Sequence, residues 1–348
     1  MTIAPVELVL NLTYRCPLKC SHCCFSSDMA QNGHLDSATM LRVVDEAAHE
    51  GIERVNFIGG DPFLHADLME LGLRQARAHG MAGSATTSAY WATTPERARI
   101  VLEPLAGAGL GRIIVSYDDM HADFLKLKHV INAYRAARAL GIEVQVAVVV
   151  APDSRIDAAY MEDALGAGQD FGLTVYETAV NSTGRAAVSA DEDSQAARRK
   201  ARQVYRGPCL SALRHFSVTP EGRVLACCGV LPFREEMAVG DVSKAGLGDT
   251  IRRAYDDPIL KWIAFEGPVA LLCEITAGSE KPFSAEDFDG VCHACDVLYS
   301  SSELLRRLRE YLPHKTATLD MMQTAFEAVG FYRSFDPSTT AAPCHDDD

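Results

Sequence analysis

Six strand-like segments alternate with five helix-like segments over the first 180 residues, and this alternation constrains the fold more than any other feature of the sequence. Each strand and its following helix occupy roughly 30 residues, which is the length of a βα unit. Because parallel strands need crossover connections of this kind, the alternation predicts a mostly parallel sheet, either open or curled into a partial barrel. The six strand-like segments are residues 6–12, 54–58, 82–87, 112–118, 144–150 and 173–180.

Several predicted helices begin and end at residues suited to those positions. Asp36 is a candidate N-cap for a helix that ends before Gly51, and Thr94 precedes Pro95 at the start of another. Asp and Thr side chains accept hydrogen bonds from free N–H groups at a helix start, and proline fits the first helical position. Further helices are predicted over residues 68–78, up to residue 140, and over residues 157–165.

The alternation stops after about residue 184. Residues 186–206 are charged and alanine-rich, which is typical of an exposed helix or a linker. Residues 216–226 alternate like a β-hairpin with Pro220-Glu221-Gly222 as its turn, and residues 250–264 have a helical pattern. The end of the chain is polar and acidic, so we expect it to be disordered.

Charge and hydropathy argue against two classes of partner. The chain has 33 basic and 47 acidic residues and a formal net charge of −14, which argues against binding to a nucleic-acid backbone. No apolar run approaches the roughly 20 residues that a membrane helix needs. The first residues lack the basic and apolar regions of a signal peptide, so we expect a cytoplasmic protein.

The chain has 11 cysteines, and ten of them lie in three groups. In a reducing compartment they are not expected to form a disulfide framework. Single buried cysteines are common in protein cores, but grouping at ligand spacing favours metal binding. The three groups are Cys16, Cys20, Cys23 and Cys24; Cys209, Cys227 and Cys228; and Cys273, Cys292 and Cys295.

Cys16, Cys20 and Cys23 form a C-x3-C-x2-C pattern immediately after the first predicted strand. Three thiolates on one tight loop can bind three irons of a [4Fe–4S] cluster and leave the fourth iron open, whereas an electron-carrying cluster takes four cysteines. An open iron can bind a ligand through an amine and a carboxylate. The alternative is a zinc knuckle or an accidental spacing.

This cysteine pattern, placed after a first strand, resembles that of the radical S-adenosylmethionine (radical SAM) superfamily. Gly59-Gly60-Asp61-Pro62, after the second strand, resembles the Gly-Gly-Glu-Pro stretch that receives the cofactor's amino group in that family, with Asp61 one methylene shorter than Glu. The resemblance implies an α/β fold with a partial (β/α)6 TIM-like barrel. It also implies S-adenosylmethionine and a [4Fe–4S] cluster as cofactors, with the cluster bound by Cys16, Cys20 and Cys23.

Further cofactor contacts follow from the same resemblance. His22 is expected to reach over the adenine, and Ser88 and Ser116 to contact the ribose or carboxylate. Arg185 belongs to a Gly-Arg-Ala turn that closes such sites. The expected cofactor-binding residues are therefore His22, Gly59, Gly60, Asp61, Pro62, Ser88, Ser116 and Arg185.

A second metal set is predicted from Cys209, Cys227, Cys292 and Cys295. Four thiolates satisfy a closed [4Fe–4S] cluster and equally a structural zinc ion. The spacing C-x12-G-x4-C with a distal C-x2-C resembles the twitch auxiliary domain of some radical SAM enzymes, a shorter relative of the SPASM domain, which implies a second, auxiliary [4Fe–4S] cluster. Cys24 follows Cys23 and Cys228 follows Cys227, so either could be the ligand instead if the assignment is shifted by one residue.

We therefore expect five regions along the chain. They are a radical SAM partial barrel over residues 1–185, a linker or helix over 186–207, a small α+β twitch-like iron–sulfur domain over 208–300, a helical segment over 301–333, and a disordered tail over 334–348 that contains Cys344.

The resemblance implies that one-electron reduction cleaves S-adenosylmethionine to methionine and a 5′-deoxyadenosyl radical, which removes a hydrogen atom from the substrate. We expect a net two-electron oxidation, with the auxiliary cluster as electron acceptor and flavodoxin or ferredoxin as electron donor. A small-molecule substrate is favoured, because fifteen residues before Cys16 are too few for the leader-binding domain that many peptide-modifying relatives use. A peptide substrate remains an alternative.

Other functions also remain open. They are radical modification or epimerisation of a peptide or sugar, aminocarboxypropyl transfer from S-adenosylmethionine and, in a different class, an iron–sulfur or zinc binding protein without catalysis. In an epimerisation Cys273 would be the hydrogen donor, although its apolar surroundings in the sequence favour a core cysteine.

Overall fold

The computed structural model describes residues 4–166, 172–189 and 204–329. Within these residues nine strands form one sheet in the order β6-β5-β4-β3-β2-β1-β7-β8-β9. The strands are Glu7–Thr13 (β1), Arg54–Gly59 (β2), Ala82–Thr87 (β3), Leu110–Ser116 (β4), Glu143–Val150 (β5), Leu173–Ala179 (β6), His215–Val218 (β7), Arg223–Leu225 (β8) and Gly240–Asp241 (β9).

Neighbouring strands from β1 to β6 pair in parallel, which confirms the predicted α/β fold with a mostly parallel sheet. The hairpin predicted for residues 216–226 is present as antiparallel β7 and β8. It does not form a sheet of its own, because β7 also pairs in parallel with β1 and so extends the first sheet. Both predicted regions of the chain therefore share one hydrogen-bonded sheet.

The helices of the described residues follow most strands. They are Ser37–His49 (α1), Ala66–Ala78 (α2), Pro95–Ala108 (α3), Asp119–Ala122 (α4), Leu127–Ala139 (α5), Ala158–Leu165 (α6), Arg185–Ser189 (α7), Leu247–Asp256 (α8), Pro258–Phe265 (α9), Pro268–Thr276 (α10), Val291–Ser300 (α11) and Ser302–Val329 (α12).

The predicted helix starts are confirmed by side-chain caps. Asp36 accepts a hydrogen bond from the N–H of Thr39, and Thr94 accepts one from Arg97. The helix expected over residues 250–264 is instead two helices, α8 and α9. The break lies at Pro258, which lacks the N–H that would continue the first helix, and Asp257 caps the second.

The two faces of the sheet differ in polarity. On one face, register pairs such as Leu10 with Phe57 and Ile113 with Val144 place fully buried apolar side chains side by side. On the other face, Asn56 of β2 pairs with Ser84 of β3, and Ser116 stands at the end of β4. The apolar face forms the core, and the polar face is suited to hydrogen-bond a ligand.

Residues 190–203 of the expected linker and the expected tail with Cys344 lie outside the described residues. In the part of the chain that is described, no helix has the length and apolar character needed to cross a membrane.

Candidate active site and metal centres

The first cysteine loop begins two residues after β1 and folds back on itself. The N–H of Cys16 donates to the Asp28 carbonyl at 3.2 Å, and the N–H of Cys23 donates to the Cys20 carbonyl at the same distance. Backbone N–H groups also point at two of the sulfurs, 3.4 Å from Leu18 N to Cys16 Sγ and 3.4 Å from Ser27 N to Cys23 Sγ. Such N–H groups stabilise thiolates, so this donor set fits an iron–sulfur cluster.

Gly59 and Gly60 pack against the chain that leads into this loop. The N–H of Gly60 donates to the Thr13 carbonyl at 2.6 Å. A Cβ atom on Gly59 would overlap the Thr13 carbonyl oxygen, and one on Gly60 would overlap that of Arg15. The glycines were predicted to let the backbone approach a ligand, and in the structure they allow the end of β2 to approach the end of β1. Pro62 is buried directly behind them.

Asp61 is completely buried, and its carboxylate binds the end of β3. Its oxygens accept hydrogen bonds from Thr87 Oγ1 at 2.9 and 3.0 Å, from Ser88 N at 2.9 Å and from Ser88 Oγ at 2.8 Å. Burial raises the pKa of Asp61, and the bonds from Ser88 and Thr87 act against that rise. In the structure the Asp61 carboxylate and Ser88 hydrogen-bond each other, and their expected contacts with the cofactor stay predictions.

Arg185 lies against the backbone of the cysteine loop. Its guanidinium donates to the carbonyl oxygens of Cys20 at 2.6 Å and Ser27 at 2.7 Å, and its own N–H donates to the Cys23 carbonyl at 3.0 Å. The preceding Gly184 has a φ of 55° and packs so closely on Cys24 that a Cβ atom would overlap the Cys24 carbonyl. Arg185 therefore holds the loop in place rather than presenting its guanidinium to a ligand.

His22 lies beside a second histidine and a buried carboxylate. Its Nε2 is 3.5 Å from Asp118 Oδ2, and His121 Nδ1 is 2.9 Å from the same oxygen. The two imidazole rings are 4.9 Å apart in an edge-on arrangement. Burial lowers the pKa of His121, but Asp118 outweighs that effect and raises the pKa to about 10.

Five cysteines line one largely apolar cavity behind the hairpin. Burial raises the pKa of these thiols, and their mutual proximity raises it further. The structure thus brings together all four predicted ligands of the second set and adds a fifth thiol, that of Cys228. The cysteines are Cys209, Cys227, Cys228, Cys292 and Cys295.

The spacing of the thiols bears on which metal they can bind. Zinc–sulfur bonds of about 2.3 Å bring four tetrahedral ligands to within about 3.8 Å of one another. Among the described residues, only His22, Asp118 and His121 form a group of three potential ligands whose atoms all lie within 4.8 Å. No three sulfurs of the described cysteines lie that close together, so the thiols do not form a ready-made tetrahedral zinc site.

A buried contact connects the turn after β6 to the segment that carries the last cysteine pair. The Asp289 carboxylate accepts hydrogen bonds from Ser182 N at 3.0 and 3.1 Å and from Ser182 Oγ. His293 Nδ1 lies 3.1 Å from Asp289 on the other side. Hydrogen bonds from His293 and Ser182 lower the pKa of Asp289 despite its burial, so this carboxylate is charged.

Cys273 lies in α10, apart from both cysteine groups. Its side chain is partly buried and packs against the core. Burial, and to a smaller extent the charge of Asp287, raises the pKa of its thiol. Cys273 does not line the cavity of the second cysteine set, although its helix packs against α11, which carries Cys292 and Cys295. Ser116 is partly buried at the end of β4, on the polar face of the sheet.

Sequence reasoning missed the contacts of Asp118, His121 and Asp289. The Asp118-x-x-His121 spacing at a strand end was the available indication, since residues three apart meet on one helical turn. Asp289 meets Ser182 across 107 positions of sequence, and no local pattern predicts that contact.

The comparisons with known proteins agree with this geometry. Residues 10–160 match the Radical SAM superfamily. The chain is 35% identical over 117 residues to the PqqA peptide cyclase of Gluconobacter oxydans (strain 621H), which is 33% of this chain and 31% of that protein. It is 34% identical over 125 residues to the same-named protein of Xanthomonas euvesicatoria pv. vesicatoria (strain 85-10), 35% and 32% of the two chains. The matched segment thus spans about a third of these relatives.

Solved structures share the overall fold. The structure of histidine-tagged anSMEcpe with bound AdoMet has a TM-score of 0.54 at 14% identity and covers 91% of this chain and 99% of that chain. Native anSMEcpe with bound AdoMet and the Cp18Cys peptide has a TM-score of 0.53 at 13% identity, covering 92% and 99%. At this identity the likeness concerns the fold alone.

Proposed function

We propose that this chain is a radical SAM enzyme that modifies a peptide by removing a hydrogen atom from an unactivated carbon. The single observation that carries the proposal is the Cys16–Cys23 loop, which is held at the end of β1 with backbone N–H groups 3.4 Å from two of its sulfurs. The small-molecule substrate favoured by sequence reasoning has less support than its peptide alternative. The peptide substrate is supported by two relatives named PqqA peptide cyclase and by a fold shared with a protein whose structure contains a bound peptide.

In this proposal Cys16, Cys20 and Cys23 bind three irons of a [4Fe–4S] cluster, and the fourth iron binds S-adenosylmethionine. When bound there, the cluster and S-adenosylmethionine would supply a 5′-deoxyadenosyl radical, with one electron from a flavodoxin- or ferredoxin-like donor, for the removal of a hydrogen atom from the peptide. Gly59, Gly60 and Arg185 keep the cysteine loop in position. His22, in the cysteine loop, and Ser116, on the polar face of the sheet, are proposed cofactor contacts.

Cys209, Cys227, Cys292 and Cys295 are the proposed ligands of an auxiliary [4Fe–4S] cluster. Their apolar cavity and the lack of a ready-made tetrahedral zinc site among the described cysteines support a cluster over zinc. The substrate radical would pass one electron to this cluster and release one proton, which completes a two-electron oxidation. In this assignment residues 1–185 form the radical SAM domain, residues 208–300 the auxiliary region and residues 301–333 a helical extension.

The test begins with anaerobic reconstitution of the full chain. We expect about eight irons per chain, and about four after Cys16, Cys20 and Cys23 are all changed to Ala, with loss of S-adenosylmethionine cleavage. Candidate peptides encoded beside the gene are then incubated with the enzyme, reductant and cofactor, and mass spectrometry should find the loss of two hydrogens. Cofactor cleavage with turnover of a small molecule and of no peptide would refute the peptide assignment.

A further inference from the structure

The turn between β6 and α7 is held by a buried carboxylate from the segment that leads into α11. Asp289 is 3% exposed, and its oxygens accept hydrogen bonds from the Ser182 N–H at 3.0 and 3.1 Å and from the Ser182 hydroxyl. Cys292 and Cys295 follow Asp289 in the first turns of α11. The segment that carries two proposed ligands of the second site therefore binds a turn of the parallel sheet directly.

The other end of the same turn holds the first cysteine loop. Arg185 comes three positions after Ser182, where the turn enters α7. Its N–H donates to the Cys23 carbonyl at 3.0 Å, and its guanidinium donates to the carbonyls of Cys20 at 2.6 Å and Ser27 at 2.7 Å. The turn thus contacts the segment of the second cysteine set at one end and the backbone of the first cysteine loop at the other.

The segment around Asp289 is anchored by contacts that do not involve the turn. The Arg206 guanidinium donates to the Phe288 carbonyl at 2.8 Å, and the Phe288 side chain is buried. The Phe288 ring also lies 5.7 Å from that of His293 in α11, in an edge-on arrangement. Because these contacts fix the segment independently, Asp289 can act as a rigid support for Ser182.

We propose that Asp289 is a positioning residue of the first site, which through Ser182 fixes the turn that keeps Arg185 on the backbone of the Cys16–Cys23 loop. This inference rests on the proposed function, because it takes that loop as the one that binds the cofactor cluster. Without the Asp289 carboxylate, the buried N–H and hydroxyl of Ser182 lose their acceptor, and the turn must shift to satisfy them. Arg185 then moves with the turn, and the loop loses the donor to three of its carbonyls.

The experiment is hydrogen exchange of the anaerobically reconstituted full chain, followed by mass spectrometry of the peptides that cover the cysteine loop. In Asp289→Ala the loop amides should exchange several-fold faster than in the wild type, because the loop opens more readily once the turn is loose. Asp289→Asn keeps an acceptor for Ser182 and should recover part of the protection. Ser182→Ala removes the hydroxyl alone and should give a smaller increase in exchange.

Electron paramagnetic resonance of the reduced protein gives a second readout. The first cluster is recognised as the signal that changes when S-adenosylmethionine is added, since its open iron binds the cofactor. The share of this signal in the total spin count should fall in Asp289→Ala and recover in Asp289→Asn.

Asp296→Ala is the matched control, because Asp296 also adjoins a proposed ligand in α11 but accepts a hydrogen bond from Arg234 at 2.8 Å instead of from the turn. Its loop amides should exchange as in the wild type. Loop exchange that is unchanged in Asp289→Ala, or raised equally in the control, would overturn the inference and leave the proposed function intact. If Asp289→Ala does not fold, Asp289→Asn and Ser182→Ala decide by the same comparison. Absence of any cofactor-responsive signal in the wild type would instead refute the proposed function itself.

Discussion

The first cysteine site is built on one continuous loop, whereas the second is assembled from three segments far apart in sequence. The loop from Cys16 to Cys23 is held by backbone hydrogen bonds, by the chain after β2 that packs against it, and by the Arg185 guanidinium of α7. The second set lies in a cavity lined mainly by apolar side chains such as Leu225 and Leu260. A site surrounded by polar groups suits a cluster that binds a charged cofactor, and an apolar enclosure suits one that only exchanges electrons.

The substitution expected to have the largest effect, and to affect the first site alone, is at Gly60. In Gly60→Ala the new methyl group would overlap the Arg15 carbonyl, so the end of β2 could not pack against the cysteine loop. We expect loss of the irons of the first site with those of the second retained, measured as iron per chain after reconstitution. Gly107→Ala in α3 is the control, because nothing lies within 4 Å of its added methyl, and it should stabilise the fold by up to about 1 kcal/mol.

Neighbouring cysteines of the second site offer a sharper test. Cys227→Ala should remove the irons of the auxiliary site and stop product formation, while cleavage of S-adenosylmethionine without product continues. Cys228→Ala should keep all irons, because Cys228 is the additional thiol of the cavity. Iron analysis and product mass spectra of the two variants show whether Cys227 or Cys228 is the ligand. The reverse result would assign Cys228 as the ligand and shift the predicted pattern by one residue.

Asp61 tests whether the first site depends on buried polar contacts. Asp61→Ala leaves the buried hydroxyl of Thr87 and the N–H and hydroxyl of Ser88 without their acceptor. We expect the free energy of unfolding to fall by about 2–4 kcal/mol, as measured by denaturant titration. Asp45→Ala removes a partly exposed pair with His79 and a hydrogen bond from Gln75, and should cost about 1 kcal/mol. Equal losses in the two variants would show that the Asp61 contacts are not special.

The smallest effect is expected at Cys273, which lies outside both sites. Cys273→Ala should leave iron content and product unchanged and lower the free energy of unfolding by about 1 kcal/mol or less, because its side chain is only partly buried. The measurement is turnover in deuterated solvent. If the wild type placed deuterium in the product and the variant did not, Cys273 would be a hydrogen donor and the reaction an epimerisation.

Much of the fold could be predicted from local patterns. The strand-like segments, the caps at Asp36 and Thr94 and the hairpin around Gly222 all depend on residues close together in the chain. The break at Pro258 could have been read from the same rules, since proline starts a helix more readily than it continues one. The pairing of β7 with β1 could not, because it joins strands about 200 positions apart, and nothing local specifies the partner.

The sequence by itself determined the βα alternation, the cysteine triad after β1 and the glycines after β2, because each is a pattern of neighbouring residues with a direct physical consequence. Only the tertiary structure decided what those residues touch. It placed Asp61 on Ser88, Arg185 on the loop backbone, and His121 beside Asp118 and His22. The reason is that a buried polar group takes whichever partner packing brings within hydrogen-bond distance, and that partner comes from a distant part of the chain.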